Sequence, residues 1–192
     1  MPADLRRILV VDAEATCWET REEQGDRPNE IIEIGICDLD LRTGSCSQPM
    51  SYLIKPRFTE VSAFCTQLTG WTKEQIAEGG DIGDTLKAIK QDYGIDRDTL
   101  WCSYGEFDRI KLATDGRASV NGLYGIHRND NPFAQMRIHL NIKTLFALKK
   151  GLRSEVGMDK ALRIAGLKLE GRHHNGADDA FNIAKLARVA LK

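Results

Sequence analysis

Apolar residues come in short, β-branched runs near the amino terminus and at helical intervals further along the chain. Ile8–Asp12 is the first such run, and its branched side chains predict a strand buried on both faces. Thr16–Asn29 is polar and charged, contains Gly25 and Pro28, and reads as a loop. Ile31–Leu41 predicts a second strand, Leu41-Arg42-Thr43-Gly44 a turn, and Ser47–Ile54 a third strand returning antiparallel to the second. Helical signals follow over Thr72–Glu78, and over Ile82–Tyr93 with Asp81 as N-cap and Gly94 as the stop. Thr99–Tyr104 predicts a fourth strand. Ser103-Tyr104-Gly105-Glu106 has the S-x-x-E form of a capping box, so a helix is expected to start there and run to Asp115. Gly116–Asn131 is rich in Gly and Asn and reads as a loop. His139–Asn141 predicts a fifth strand leading into helix Ile142–Lys149, and Met158–Ala165 and Ala177–Leu191 predict the last helices. A strand meander followed by strand–helix alternation implies an α/β fold, a mixed five-stranded sheet flanked by helices. No repeat or linker divides the chain, so residues 1–192 read as one domain.

Composition narrows the class. With 42% hydrophobic and 29% charged residues the chain is outside the disordered regime. No apolar run approaches the ~18 residues of a membrane span, and Ile8–Val11 is too short for a secretory signal. The five cysteines, at 17, 37, 46, 65 and 102, are odd in number and lack a C-x-x-C pair, which argues against a disulfide framework or a zinc knuckle. Free thiols point to a reducing, cytoplasmic compartment. The net charge of −1 hides an asymmetry: residues 1–136 hold 15 Lys+Arg against 23 Asp+Glu, and residues 137–192 hold 12 against 5. That division has two readings: solvated Lys/Arg helix faces, the simpler one, or a basic phosphate track beside an acidic metal site.

Candidate chemistry lies in three separated segments. Asp12 and Glu14 sit one residue apart at the end of the first predicted strand, so their carboxylates point the same way. A buried pair of this kind needs a neutralising partner, for which a divalent cation is suited; an exposed strand end would need none. Asp108 lies in the first turn of the helix after the fourth strand, where the helix dipole alone also favours an acid. The third segment is Gly171-Arg172-His173-His174-Asn175-Gly176-Ala177-Asp178-Asp179. Helical phase puts Asp179 on the apolar face with Ile183, Leu186 and Ala190, and Asp178 on a wet face with Asn182 and Lys185. Each acid follows a histidine by five positions, and the same phase pairs His174 with Asp179. His174, in a Gly-flanked loop, is the candidate base.

Taken together, Asp12-Ala13-Glu14, Ser103–Asp108 and His174–Asp179 resemble the DEDDh family of 3′–5′ exonucleases, whose fold is ribonuclease H-like. Asp-Ala-Glu-Ala-Thr-Cys-Trp at 12–18, Glu30–Glu33, Phe64-Cys65-Thr66-Gln67-Leu68-Thr69-Gly70 and His174–Ile183 resemble the Eri-type, or histone-mRNA 3′-exonuclease, subgroup. The resemblance spans roughly 8–190. It implies a 3′–5′ exoribonuclease that uses two Mg²⁺ or Mn²⁺ ions and releases nucleoside 5′-monophosphates. Asp12 would bridge the ions, Glu14 and Asp179 would hold the one carrying the nucleophilic water, Asp108 would help hold the other, and His174 would accept the proton. Glu14, Ala15 and His174 would contact the terminal nucleotide.

A single-stranded 3′ end is the expected partner, bound by aromatic stacking and basic contacts. Trp18 is the preferred stacking residue, with Phe64, Trp71 and Phe107 also near the motifs, and Arg172 and Lys168 are candidate phosphate contacts. Two alternatives stay open: a 3′–5′ DNA exonuclease, and a protein-binding module on a nuclease-like fold. The presence of all four acids and the histidine disfavours the second.

Overall fold

The computed structural model describes residues 6–115 and 128–192. Strand β1 (Arg7–Ala15) is followed by a single helical turn α1 (Arg21–Gln24), then by β2 (Ile31–Asp40) and β3 (Met50–Leu53). Helices α2 (Ala63–Thr69), α3 (Lys73–Ala77) and α4 (Ile82–Asp92) come next. After β4 (Leu100–Ser103) the chain alternates: α5 (Phe107–Asp115), α6 (Pro132–Gln135), β5 (Ile138–Asn141), α7 (Ile142–Lys149), α8 (Met158–Ile164) and α9 (Gly176–Ala190). The five strands form one sheet in the order β3-β2-β1-β4-β5. β1–β2 and β2–β3 are antiparallel, and β1–β4 and β4–β5 are parallel, so the sheet is mixed as expected.

β1 is central because its side chains are apolar on both faces. Ile8 and Val10 pack with Phe146 of α7 and with Ile183 and Leu186 of α9. Leu9 and Val11 face the other way, against Leu86 and Ile89 of α4 and Phe133 of α6. Burying each such side chain stabilises by roughly 1.5–3 kcal/mol, so the two layers fix both the register of β1 and the seat of α9. No helix among the described residues is long and apolar enough to cross a membrane.

Several local expectations are corrected. β1 continues to Ala15, so Asp12 and Glu14 lie within the strand. β3 is shorter than Ser47–Ile54, the flanking positions contributing only isolated bridges at Cys46 and Ile54. Helix α2 has no counterpart in the apolar pattern; Ser62 caps it by accepting the N–H of Cys65, and Gly70 ends it in the left-handed region at φ 86°. Ser103 does not form the capping box: its hydroxyl hydrogen-bonds the Gly105 carbonyl and the His139 Nε2, because α5 begins only at Phe107. Glu106 instead accepts from Arg109 and Asn141. The part of the predicted Gly116–Asn131 loop at 116–127 lies outside the described residues.

Candidate metal and active site

Asp12 and Glu14 are two apart on an extended strand, so both leave the sheet on one face. Ile8 and Val10 belong to the same alternation and pack under α9. Across β2 the partner of Asp12 is Gly35 and that of Glu14 is Glu33. The glycine is required by contact: a methyl group on Gly35 would lie 1.9 Å from the carbonyl carbon of Gly176. The first turn of α9 therefore rests directly on the sheet. Glu33 fastens it there, its carboxylate accepting the N–H groups of Gly176 at 2.9 Å and Ala177 at 3.3 Å. Ser51 and the Trp71 indole donate to the same carboxylate. A negative group at this end of a 15-residue helix also complements the helix dipole.

This seating brings Asp179 over β1. Ligand oxygens of Asp12, Glu14 and Asp179 lie within 4.8 Å of one another. Asp108, buried at the start of α5, accepts the N–H of Ala13 at 3.1 Å and so is tied to the same stretch of β1. All four acids line one cavity of about 360 Å³ together with His173 and His174. Ala13, Tyr104, Phe107, Lys143, Gly157 and Met158 complete its lining.

The crowding is visible in the acid–base behaviour. Burial raises the Asp12 carboxyl well above its usual range, and the charges of Asp108, Glu14, Asp179 and Glu33 raise it further. Burial, then Asp179 and Glu33, push Glu14 up to about 9. Burial raises Asp108 to about 6 against the opposing hydrogen bond from Ala13. Asp179 is raised by burial, partly offset by the His174 N–H and by His173. Its Oδ2 accepts the hydrogen bonds, whereas its Oδ1 is buried with no hydrogen-bond donor among the described residues. An orphaned carboxylate oxygen among other acids costs free energy that a bound cation would offset. The donor set thus fits a divalent metal ion.

The two histidines are arranged differently from the spacing-based expectation. The His173 ring, not that of His174, is hydrogen-bonded to Asp179, with Nδ1 2.8 Å from Oδ2. His174 reaches the same oxygen through its backbone N–H at 2.9 Å. Its ring stacks on His173, with centroids 4.0 Å apart, and its Nδ1 lies 4.0 Å from Glu14 Oε1. His174 is also the one non-glycine residue with positive φ among those described, at 67°. That left-handed backbone turns the chain into Asn175, which caps α9. Helical phase places Asp179 on the buried face correctly but carries no information about a loop residue five positions upstream.

A second correction concerns the face of α9 expected to be wet. Asn182 and Lys185 are buried beneath residues 168–170. Asn182 bonds the backbone of Glu170 in both directions, and Lys185 donates to the Lys168 carbonyl and the Glu170 carboxylate. Asp178 accepts the N–H of Arg172 at 2.7 Å. The polar residues on this face bond the chain that leads into the helix.

Trp18 does not line the cavity; Arg27 lies over its ring at 4.7 Å. Nor does Ala15, whose carbonyl accepts from the Cys65 thiol. The Arg172 guanidinium donates to the Gln67 carbonyl. Phe107 does line the cavity and is 59% exposed. Glu33 was legible only as part of the Glu30–Glu33 resemblance. His173 stood in the third candidate segment, paired by spacing with Asp178 and not with Asp179, and Lys143, in the helix after the fifth strand, lay outside every recognised motif.

A mixed sheet carrying four converging carboxylates and an imidazole is the residue arrangement of the DEDDh exonuclease class on a ribonuclease H-like fold. The chain belongs to the RNase_T family, described as "Exonuclease", whose model matches residues 9–187. It is 29% identical to human "3'-5' exoribonuclease 1" over 94% of this chain and 51% of the relative. It is 24% identical to "ERI1 exoribonuclease 2" of Xenopus laevis over 94% of this chain and 28% of the relative. The chain thus spans about half or less of the length of these relatives. Among solved structures, the nuclease domain of 3'hExo bound to rAMP superposes with a TM-score of 0.80 at 25% identity, covering 97% of this chain and 92% of that one. A 3'-exonuclease from a structure of "3'-end specific recognition of histone mRNA stem-loop" gives 0.77 at 26% identity, covering 97% and 81%.

Proposed function

We propose that this chain, acting as one exonuclease domain over residues 1–192, is a divalent-metal-dependent 3′–5′ exoribonuclease. It shortens single-stranded RNA from the 3′ end and releases nucleoside 5′-monophosphates. The observation that carries this reading is the buried, donor-less Asp179 Oδ1 clustered with Asp12 and Glu14. The names of the relatives, exoribonucleases of 3′–5′ polarity, support the direction and the substrate.

Two Mg²⁺ or Mn²⁺ ions suit a set of oxygen donors. Asp12, Glu14 and Asp179 would hold them, with Asp108 completing the set. When bound, such a pair supplies an acidified water, charge for the phosphoryl oxygens and stabilisation of the leaving 3′ oxygen. His174 accepts the proton of the attacking water. Burial and the neighbouring His173 hold its pKa below the ordinary histidine value, so the ring is neutral and able to accept at neutral pH. Glu14 and His174, which line the cavity, contact the terminal nucleotide, whereas Ala15, expected beside them, lies off that lining. The stacking role expected of Trp18 passes to Phe107, whose exposed ring forms part of the cavity wall.

The test is digestion of matched 5′-labelled RNA and DNA oligonucleotides with Mg²⁺, Mn²⁺ or chelator. Stepwise loss from the 3′ end of RNA, abolished by chelator, is the expected result. Internal cuts, or shortening that survives chelation, would overturn the reading, and a clear preference for DNA would replace it with the DNA exonuclease.

A further inference from the structure

Lys143 is a cation whose ion pair among the described residues is a long one, 4.0 Å to Glu155. It is the second residue of α7, in the first helical turn, where a positive charge opposes the helix dipole. It lines the same cavity as Asp12, Glu14, Asp108 and Asp179, and it is the only lysine or arginine among the described residues that does so. Its side chain is 32% exposed. The stem passes the β4–α5 turn at Gly105, where a methyl group would meet its Cδ at 3.9 Å. The nearest acid, Glu155, is 4.0 Å away, and the other oxygen of that carboxylate already accepts the Thr144 hydroxyl. Nor does Lys143 neutralise the carboxylate cluster: the acids are shifted chiefly by burial and by one another.

Resting on the exonuclease reading, we propose that Lys143 is a substrate-binding residue whose ammonium takes a backbone phosphate of the bound strand. The carboxylates and their metal ions can serve only the phosphate being cleaved. A strand entering a cavity lined by four acids brings further negative charge, and each neighbouring phosphodiester needs a cation of its own. Lysine suits that role because it is a compact point charge on a flexible stem, able to follow a backbone without reading a base. Tyr104 supports this wall, its hydroxyl donating to the Val156 carbonyl at 2.7 Å beside Gly157 and Met158.

The test is equilibrium binding of a fluorescent RNA ten-mer with a hydrolysis-resistant 3′ phosphorothioate linkage, in Mg²⁺, across a salt series, alongside KM and kcat on ordinary RNA. Wild type, Lys143→Met, Lys143→Arg and Lys149→Met are compared, the last removing an exposed charge from the far end of the same helix. Lys143→Met is expected to weaken binding about tenfold and raise KM to match, the loss of one charged hydrogen bond. The slope of log affinity against log salt should fall by about 0.7, the value for one phosphate contact on a single strand. Lys143→Arg should recover most of the affinity, and Lys149→Met should match wild type. An unchanged affinity and salt slope in Lys143→Met would overturn the proposal while leaving the exonuclease reading intact. Should Lys143→Met fail to fold, Lys143→Gln is read by the same criteria. Failure of the wild-type protein to bind or cleave RNA would overturn both.

Discussion

The carboxylate of Glu33 accepts the backbone N–H of Gly176 at 2.9 Å, joining the second strand of the sheet to the first turn of the helix that carries Asp179. A side chain 143 residues from Gly176 in sequence thereby sets the position of an acid of the carboxylate cluster.

Glu33→Gln replaces one acceptor oxygen by an amide that faces N–H and O–H donors. Charge-assisted bonds of this kind are worth ~1.5–3 kcal/mol, and a domain of this size loses about 2–4 °C of Tm per kcal/mol. The expected result is a Tm lower by about 3–12 °C and a weaker Tm gain with Mn²⁺. An unaltered melting curve would remove Glu33 from this role.

Gly35→Ala tests the close approach directly. The added methyl would meet the Gly176 carbonyl carbon at 1.9 Å, and backbone cannot rotate away as a side chain can. Overpacking typically costs ~1–3 kcal/mol, and a backbone–backbone clash should reach at least the top of that range. Thermal melts should show a loss exceeding that of Glu33→Gln, or no folded protein.

Asp179→Asn and Asp178→Asn separate the two adjacent acids. Removing even an indirect support of a metal ligand costs 10–100-fold, so Asp179→Asn should reduce cleavage at least 100-fold and abolish the Mn²⁺-induced Tm gain. Asp178→Asn weakens the bond to the Arg172 N–H, costs on the order of 1 kcal/mol and keeps the metal response. Equal damage from the two variants would refute the assignment.

The carboxylate cluster fixes a pH dependence. Glu14 is raised to about 9 and Asp108 to about 6, and Asp12 and Asp179 are also raised. A raised acid binds more protons folded than unfolded, so metal-free stability falls as pH climbs from its unfolded value, ~4, through its folded value. A metal ion must displace those protons, so its affinity rises over the same interval. The Tm gain from saturating Mn²⁺ should therefore be larger at pH 8 than at pH 6. A metal response that is flat or reversed with pH would contradict the cluster.

His174→Ala should slow cleavage strongly while leaving the Mn²⁺-induced Tm gain in place, because the contact of His174 with Asp179 runs through the backbone. In the wild type, the acid limb of the rate profile attributable to this ring should fall below the ordinary histidine pKa of ~6.5, since burial lowers it.

Much of the fold was legible from short-range pattern. β1, β2, the Asp81-capped α4 and the apolar phase of Asp179 on α9 all follow from periodicity and caps. Helix α2 escaped because Ala63–Thr69 has too few apolar positions to show a period; its signals were the Ser62 cap and Gly70. The buried polar face of α9 escaped for a different reason. Asn182 and Lys185 look solvated until residues 168–170 cross them, and only then do their hydrogen bonds have partners.

The linear chain by itself determined the mixed sheet, the shared direction of Asp12 and Glu14, and the inward phase of Asp179, since each depends on neighbours within one strand or one helix. Tertiary structure alone decided which histidine ring touches Asp179, that Glu33 and Gly35 seat α9, and that Lys143 lines the same cavity as the acids. Those relations join residues far apart along the chain, and their geometry arises only when the packed sheet and helices bring the segments together.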